Sequence, residues 1–176
     1  EVVEADFLDK ASLKAIPDTI DAAYYLIHSM SSSIKDFEKL ERTSAENFRD
    51  RIEKTHARQL IYLSGIVNDN KLSAHLKSRK RVEDILASGT YALTRLRAGI
   101  IVGSGSASFE IIRDLVEKLP IMVTPRWLNT RSQPIAITDV LQYLKGVLLF
   151  ENAYNKSFDI GGPQILTYKE MLLGLA

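Results

Sequence analysis

The order of apolar patterns constrains this chain more than any single residue does. Short apolar runs alternate with longer segments whose apolar residues recur at spacings of three and four. Strand-like runs fall at Val2-Ala5, Ala22-Ile27, Leu60-Leu63, Tyr91-Leu96 running on towards Val102, Ile121-Val123 and Ser157-Ile160. Helical stripes lie between them. One carries Ile34, Phe37, Ala45, Phe48 and Ile52, and another Val82, Ile85 and Leu86. A third carries Phe109, Ile112, Leu115, Val116 and Leu119, and a fourth Val140, Leu141, Leu144, Val147 and Leu148. Such alternation predicts a doubly wound, Rossmann-like α/β domain with a mainly parallel sheet. The unbroken run Ala23-Tyr24-Tyr25-Leu26-Ile27 predicts a parallel strand covered on both faces. Punctuation agrees: Thr167 and Glu170 are spaced as a capping box before a final helix, and Ser88-Gly89 ends the helix before Tyr91.

The chain has 176 residues, enough for one domain with a sizeable core. A net charge of +1 supplies no field that would gather nucleic acid or an acidic membrane. The absence of cysteine excludes disulfides, thiolate catalysis and Cys-type zinc sites, and is compatible with a reducing cytoplasm. The three histidines, at positions 28, 56 and 75, lack metal-ligand spacing, so no metal site is expected. No apolar run reaches the roughly 18 residues of a membrane span. Glu1-Val2-Val3-Glu4 has neither a basic region nor an initiator Met, so it does not read as a signal peptide. Opening directly in a strand-like segment points to an incomplete polypeptide.

In doubly wound sheets, ligands sit beyond the carboxyl ends of strands. After the first run, Asp6 would accept a hydrogen bond from an adenine amino group while the backbone N–H of Phe7 meets a ring nitrogen. The competing explanation is that Asp9 or Ser12 simply caps the helix around Ala11-Ile16. The second run ends in Leu26, Ile27, His28 and Ser29, followed by Met30-Ser31-Ser32-Ser33. That small polar loop suits a ribose or phosphate, and equally suits the start of a helix with Ser33 as N-cap. His28 titrates near neutral pH and is a candidate acid/base, though a lone histidine is more often a hydrogen-bonded loop residue. Ser64, at the end of the third run, would donate to a substrate carbonyl, and no Gly-x-Ser-x-Gly elbow marks it as a nucleophile. His75 and Arg79 are four apart and share a helix face. Lys77, Lys80 and Arg81 spread around the solvated side.

Gly103-Ser104-Gly105-Ser106-Ala107-Ser108 follows an apolar run and precedes a helical stripe, the context of a dinucleotide-binding turn. The fit fails twice. Ser108 stands where a close helix–strand contact wants Gly or Ala, and no acidic residue lies in Pro120 to Ser132 to meet a ribose. Gly103, Ser104 and Gly105 are therefore placed on the substrate side, where glycine lets the chain turn sharply and approach a ligand. Arg126, Trp127 and Arg131 share one loop, suited to an anionic or sugar-phosphate ligand through forked hydrogen bonds and stacking. A surface loop with one aromatic tucked beneath it explains them equally well.

Six segments, in this order, resemble the extended and atypical branch of the short-chain dehydrogenase/reductase superfamily, most of all its NmrA-like and nucleoside-diphosphate-sugar epimerase-like members. They are Val3-Glu4-Ala5-Asp6-Phe7-Leu8-Asp9, Asp21 to Ser29, Leu60 to Gly65, Arg97 to Gly103, Gln133 to Val140 and Phe158 to Pro163. The resemblance runs from Val3 to Met171. It implies a single Rossmann-like domain over residues 1–176 that binds NAD or NADP, with substrate-side elements at about 103–135 and 157–176. It further implies oxidoreductase or epimerase chemistry on a carbonyl or nucleotide-sugar substrate, or cofactor sensing without turnover. Asp6 and Phe7 would hold adenine; Leu26, Ile27, His28, Ser29, Ala98 and Gly99 would line the cofactor; Ser64, His75 and Arg79 would face the nicotinamide.

The chain departs from the family at two points. The Tyr-x-x-x-Lys pair falls on His75 and Arg79, and Arg does not deprotonate. Nothing precedes the third family strand, so the pyrophosphate loop is absent from this chain. In a 3-2-1-4-5-6 sheet the first run would stand three spacings, about 14 Å, from the next. A further βαβ-sized segment upstream of Glu1 is therefore expected.

Overall fold

The computed structural model describes residues 2–27, 34–66, 74–103 and 126–175. The elements are β1 (Ala22–Tyr25), α1 (Ile34–Ile52), β2 (Gln59–Gly65), α2 (Ala74–Ala87), β3 (Ala92–Ala98), β4 (Ile101–Val102), β5 (Arg131–Ser132), β6 (Ile135–Ala136), α3 (Ile137–Gly146), β7 (Ser157–Ile160), β8 (Leu166–Thr167) and α4 (Tyr168–Leu175). Strand β1 pairs in parallel with β2, Ala22 opposite Gln59 and Tyr25 opposite Tyr62. The central sheet is mainly parallel with order β1-β2-β3-β7, the predicted α/β class.

The chain divides into two compact units. The first holds residues 1–97 and 146–158. Its core joins Tyr25, Leu60, Tyr62 and Leu93 of the sheet to Ala45, Phe48 and Ile52 of α1 and Val82 and Leu86 of α2. These are the apolar stripes read from the sequence. Aromatic rings seat the N-terminal segment, since Phe7 stacks on Phe48 at 5.5 Å and Tyr25 meets Phe48 edge-on at 5.1 Å. The last strand of the sheet is tied in through Asn155, whose left-handed backbone aims its side-chain oxygen at the N–H of Leu93.

The second unit holds residues 98–145 and 159–176. Its small core is Ile100, Leu128, Met171 and Leu172. Strand β4 pairs in parallel with β6, and β5 pairs antiparallel with β8, Arg131 opposite Thr167. The capping box forms as expected. The Thr167 backbone N–H donates to Glu170 at 2.7 Å, and the Glu170 N–H donates back to Thr167 Oγ1 at 3.1 Å.

Four expectations need correction. The stripe expected over Val140 to Leu148 buries only Val140 and Leu144, because the helix ends at Gly146 and Leu141 and Leu148 are exposed. Residues 2–5 are not a strand, and β1 has β2 as its one sheet partner among the described residues. The strand covered on both faces is β2, whose Gln59 to Tyr62 are all buried. In β1 only Tyr25 is buried, while Tyr24 and Leu26 are exposed. Among the described residues β2 has a strand on each side, while β1 lies at the edge of the sheet. Finally, Tyr91 to Val102 is two strands, because the chain leaves the central sheet after Ala98 and pairs Ile101 and Val102 with β6. The predicted helix Phe109 to Leu119, the strand Ile121-Val123 and the Ser33 cap lie outside the described residues.

Candidate functional site

The carboxyl end of β2 carries the features that most resemble a site. Ser64 is 3% exposed, and its Oγ has no hydrogen-bond partner of normal geometry among the described residues. The Tyr62 phenol lies close enough to interact with it outside that geometry, so the hydroxyl keeps the capacity for a better partner. Arg79, one turn and a half into α2, lays its guanidinium against the next residue: a Cβ built on Gly65 would lie 3.4 Å from Arg79 Nη1. His75 is the second residue of α2, one turn before Arg79. Ser64 and Arg79, far apart in sequence, are brought to the same strand end.

Tyr62, two residues before Ser64 on the same face of β2, belongs to this cluster and was read from the sequence only as an apolar position. Burial pushes its phenol up, Ser64 and Arg79 oppose that rise, and the carboxylates of Glu41 and Glu83 add to it. Glu41 is itself buried on α1 and accepts a hydrogen bond from Ser78 Oγ at 2.7 Å. Glu83, one turn beyond Arg79, holds Arg95 Nε at 3.1 Å and Arg97 Nη2 at 2.9 Å. The sequence does carry a signal for Glu41: it interrupts the stripe Phe37, Ala45, Phe48, Ile52 at the i+4 position. A carboxylate at a core-facing position of a helix requires a buried donor.

The adenine-side candidates serve partly as local structure. Asp6 Oδ1 accepts the Leu8 N–H at 2.9 Å, leaving Oδ2 for another donor, and Phe7 turns its ring into the core. Asp9 Oδ1 accepts the Ala11 N–H at 2.9 Å, and the 3-10 turn Ser12–Ala15 that follows starts from Ala11 without a side-chain cap. Beyond β1, Leu26 is 56% exposed and Ile27 packs against the core. His28 and Ser29 lie outside the described residues.

In the second unit, Gly99 follows the buried Ala98, and a Cβ on it would meet the Gln133 carbonyl at 3.1 Å. A Cβ on Gly103 would lie 2.4 Å from Ile137 Cγ2, so the chain's own α3 is what crowds this glycine. Arg131 is exposed on β5, where its charge helps hold the Glu170 carboxyl below its usual range, behind the Thr167 hydrogen bonds. Arg126 and Trp127 open a 3-10 turn over Arg126–Asn129. Ser104 and Gly105 lie outside the described residues. No cluster of three or more His, Cys, Asp or Glu suited to a metal occurs among the described residues, nor any helix long and apolar enough to cross a membrane.

No protein-family profile matches the chain, and no curated protein matches it in sequence. Solved structures match its fold. An epimerase from the methanogen Methanothermobacter thermautotrophicus aligns over 98% of this chain and 61% of its own length, with TM-score 0.79 and 12% identity. A UDP-glucose 4-epimerase from Thermotoga maritima, solved with UDP-glucose, aligns over 98% and 65%, with TM-score 0.74 and 13% identity. A short-chain dehydrogenase/reductase superfamily protein from Agrobacterium tumefaciens, solved with bound NAD, aligns over 98% and 69%, with TM-score 0.77 and 14% identity. The chain thus spans less than two thirds of the length of either of these epimerases. Its fold is that of the extended short-chain dehydrogenase/reductase and nucleotide-sugar epimerase proteins.

Proposed function

We propose that the chain acts as an NAD(P)-binding, epimerase- or oxidoreductase-like protein on a carbonyl or nucleotide-sugar substrate in the cytoplasm. The observation that carries this is the buried Ser64 hydroxyl at the carboxyl end of the central parallel strand, with Arg79 lying against the next residue, Gly65. A parallel sheet gathers ligands at that end. The described residues fit the nicotinamide side of a dinucleotide through Ser64 and Arg79, and the adenine through the remaining Asp6 oxygen. They offer no run of backbone N–H groups for the pyrophosphate. When bound, a nicotinamide supplies and takes back a hydride.

In this proposal Ser64 donates a hydrogen bond to a substrate carbonyl oxygen, and Arg79 holds the nicotinamide ribose as a fixed cation. His75 stands at the position of the superfamily's tyrosine and is assigned the proton exchange. Leu26, Ile27, His28, Ser29, Ala98 and Gly99 border the cofactor. Gly103, Ser104, Gly105, Arg126, Trp127 and Arg131 are assigned to a small-molecule substrate, with no role for nucleic acid or membrane. The NmrA-like alternative, binding without turnover, draws on the same Arg79, because a guanidinium in the lysine position does not give up its proton.

The test is titration of the full-length protein with NADH and NADPH, followed by UDP-glucose and a carbonyl panel while nicotinamide absorbance is monitored. Saturable binding with turnover that Ser64→Ala abolishes supports the catalytic form. Binding without turnover on any substrate supports the sensing form, and absence of binding rejects both.

A further inference from the structure

The second unit carries an open surface pocket of about 620 Å³ bounded by Asp139, Gln142 and Tyr143 of α3 and by Gly161, Gly162 and Pro163 of the loop after β7. Its two walls are built differently. Residues 139, 142 and 143 are spaced i, i+3 and i+4, which puts all three side chains on one helix face. All three are exposed, and none has a hydrogen bond or ion pair to another described residue. The opposite wall is fixed. The Gly162 N–H donates to the Pro134 carbonyl at 2.9 Å, and Gln133 Nε2 donates to the Gly162 carbonyl at 2.6 Å. A Cβ on Gly161 would strike the Gln133 side chain at 2.7 Å, and one on Gly162 the Pro134 carbonyl at 2.4 Å. Both glycines are needed for the loop to lie this close to the chain beneath it.

A rigid backbone wall thus faces a carboxylate, a carboxamide and a 46% exposed phenol ring that no other described group engages. We infer that this pocket is a binding site for an uncharged, hydroxyl-rich ring, a monosaccharide. The ring of Tyr143 and the face of Pro163 supply the apolar contact that sugar C–H groups need. Asp139 accepts from paired hydroxyls, and Gln142 both accepts and donates. Asp139 is the one charged residue of the six, so a phosphorylated sugar is repelled where a neutral one is held. The site goes beyond the proposed function: it requires no dinucleotide and uses none of Ser64, His75 or Arg79.

Saturation-transfer NMR on the whole chain tests it, using glucose, N-acetylglucosamine and glucose 6-phosphate as probes. Saturable transfer to the ring protons of a neutral sugar is expected. Tyr143→Ala and Asp139→Asn should each weaken it about tenfold or more, while Ser64→Ala leaves it unchanged. Both residues are solvent-exposed, so the variants fold, and circular dichroism verifies that. Absence of saturable transfer from either neutral sugar overturns the site, as does glucose 6-phosphate binding equally well. Binding that survives Tyr143→Ala and Asp139→Asn also overturns it. Loss of dinucleotide binding in the full-length protein bears on the proposed function alone.

Discussion

Ser78 on α2 donates a 2.7 Å hydrogen bond to the buried carboxylate of Glu41 on α1, locking the two helices that cover one face of the central sheet. Ser78→Ala removes that donor and should cost about 1–3 kcal/mol, a fall of several degrees in Tm for a chain of this size. Thermal unfolding of Ser78→Ala beside Ser78→Thr, which keeps the hydroxyl, checks it. Equal Tm for the alanine variant and the parent would dismiss the bond as a stabilising contact.

Gln59 is fully buried in β2 and holds a polar network together. Its Nε2 donates to Thr94 Oγ1 at 2.8 Å and to the Val147 carbonyl at 2.9 Å, while its Oε1 accepts the Leu149 N–H. Leu149 stands at φ 53°, a left-handed conformation unfavourable for a leucine. Gln59→Leu keeps the volume and strands three backbone and side-chain groups, so a loss of at least about 2 kcal/mol is expected. Urea denaturation measures it. Leu149→Gly in the Gln59→Leu background should recover part of the loss, because glycine bears no penalty at that φ.

Alkaline pH should unfold the protein cooperatively. Burial raises the phenols of Tyr25, Tyr62 and Tyr91 above their usual value. In the unfolded chain they ionise near about pH 10. Above that pH the unfolded state sheds protons that the folded state keeps, so stability is whole below about pH 10 and falls as pH rises. Each tyrosine contributes a slope of about 1.4 kcal/mol per pH unit in that window. Denaturation midpoints between neutrality and pH 11 trace the decline, and Tyr25→Phe should flatten it.

Two glycines should answer the same substitution with opposite signs. Gly162→Ala forces a Cβ to 2.4 Å from a backbone carbonyl and should destabilise by about 1–3 kcal/mol. Gly174 lies exposed within α4 with nothing near a built Cβ, so Gly174→Ala should stabilise by about 0.4–1 kcal/mol. A calorimetric comparison of the two variants decides, and matching signs would sink the explanation.

Much of the architecture is legible in the one-dimensional pattern. In α1, Ala45, Phe48 and Ile52 do pack on the sheet and Phe37 is buried, Thr167 and Glu170 do form their box, and β7 occupies the predicted Ser157–Ile160. Each depends on residues within a turn or two of one another, where periodicity and side-chain chemistry act directly. The candidate site was half visible. Ser64 and Arg79 were named from motif order, but Tyr62 looked like one more strand aromatic, and Glu41 passed unremarked within an apolar stripe.

The alternation of strands and helices and the apolar faces of α1 and α2 follow from local pattern alone. Tertiary structure alone decided which strand is buried on both faces, where the chain leaves the central sheet after Ala98, and that Gly103 is crowded by Ile137. It alone set Ser78 against Glu41 and Gln59 against Val147. The reason is separation along the chain. Local pattern reports what a residue prefers among its near neighbours, whereas those pairings join segments 37 and 88 residues apart and exist only once the sheet has fixed its order.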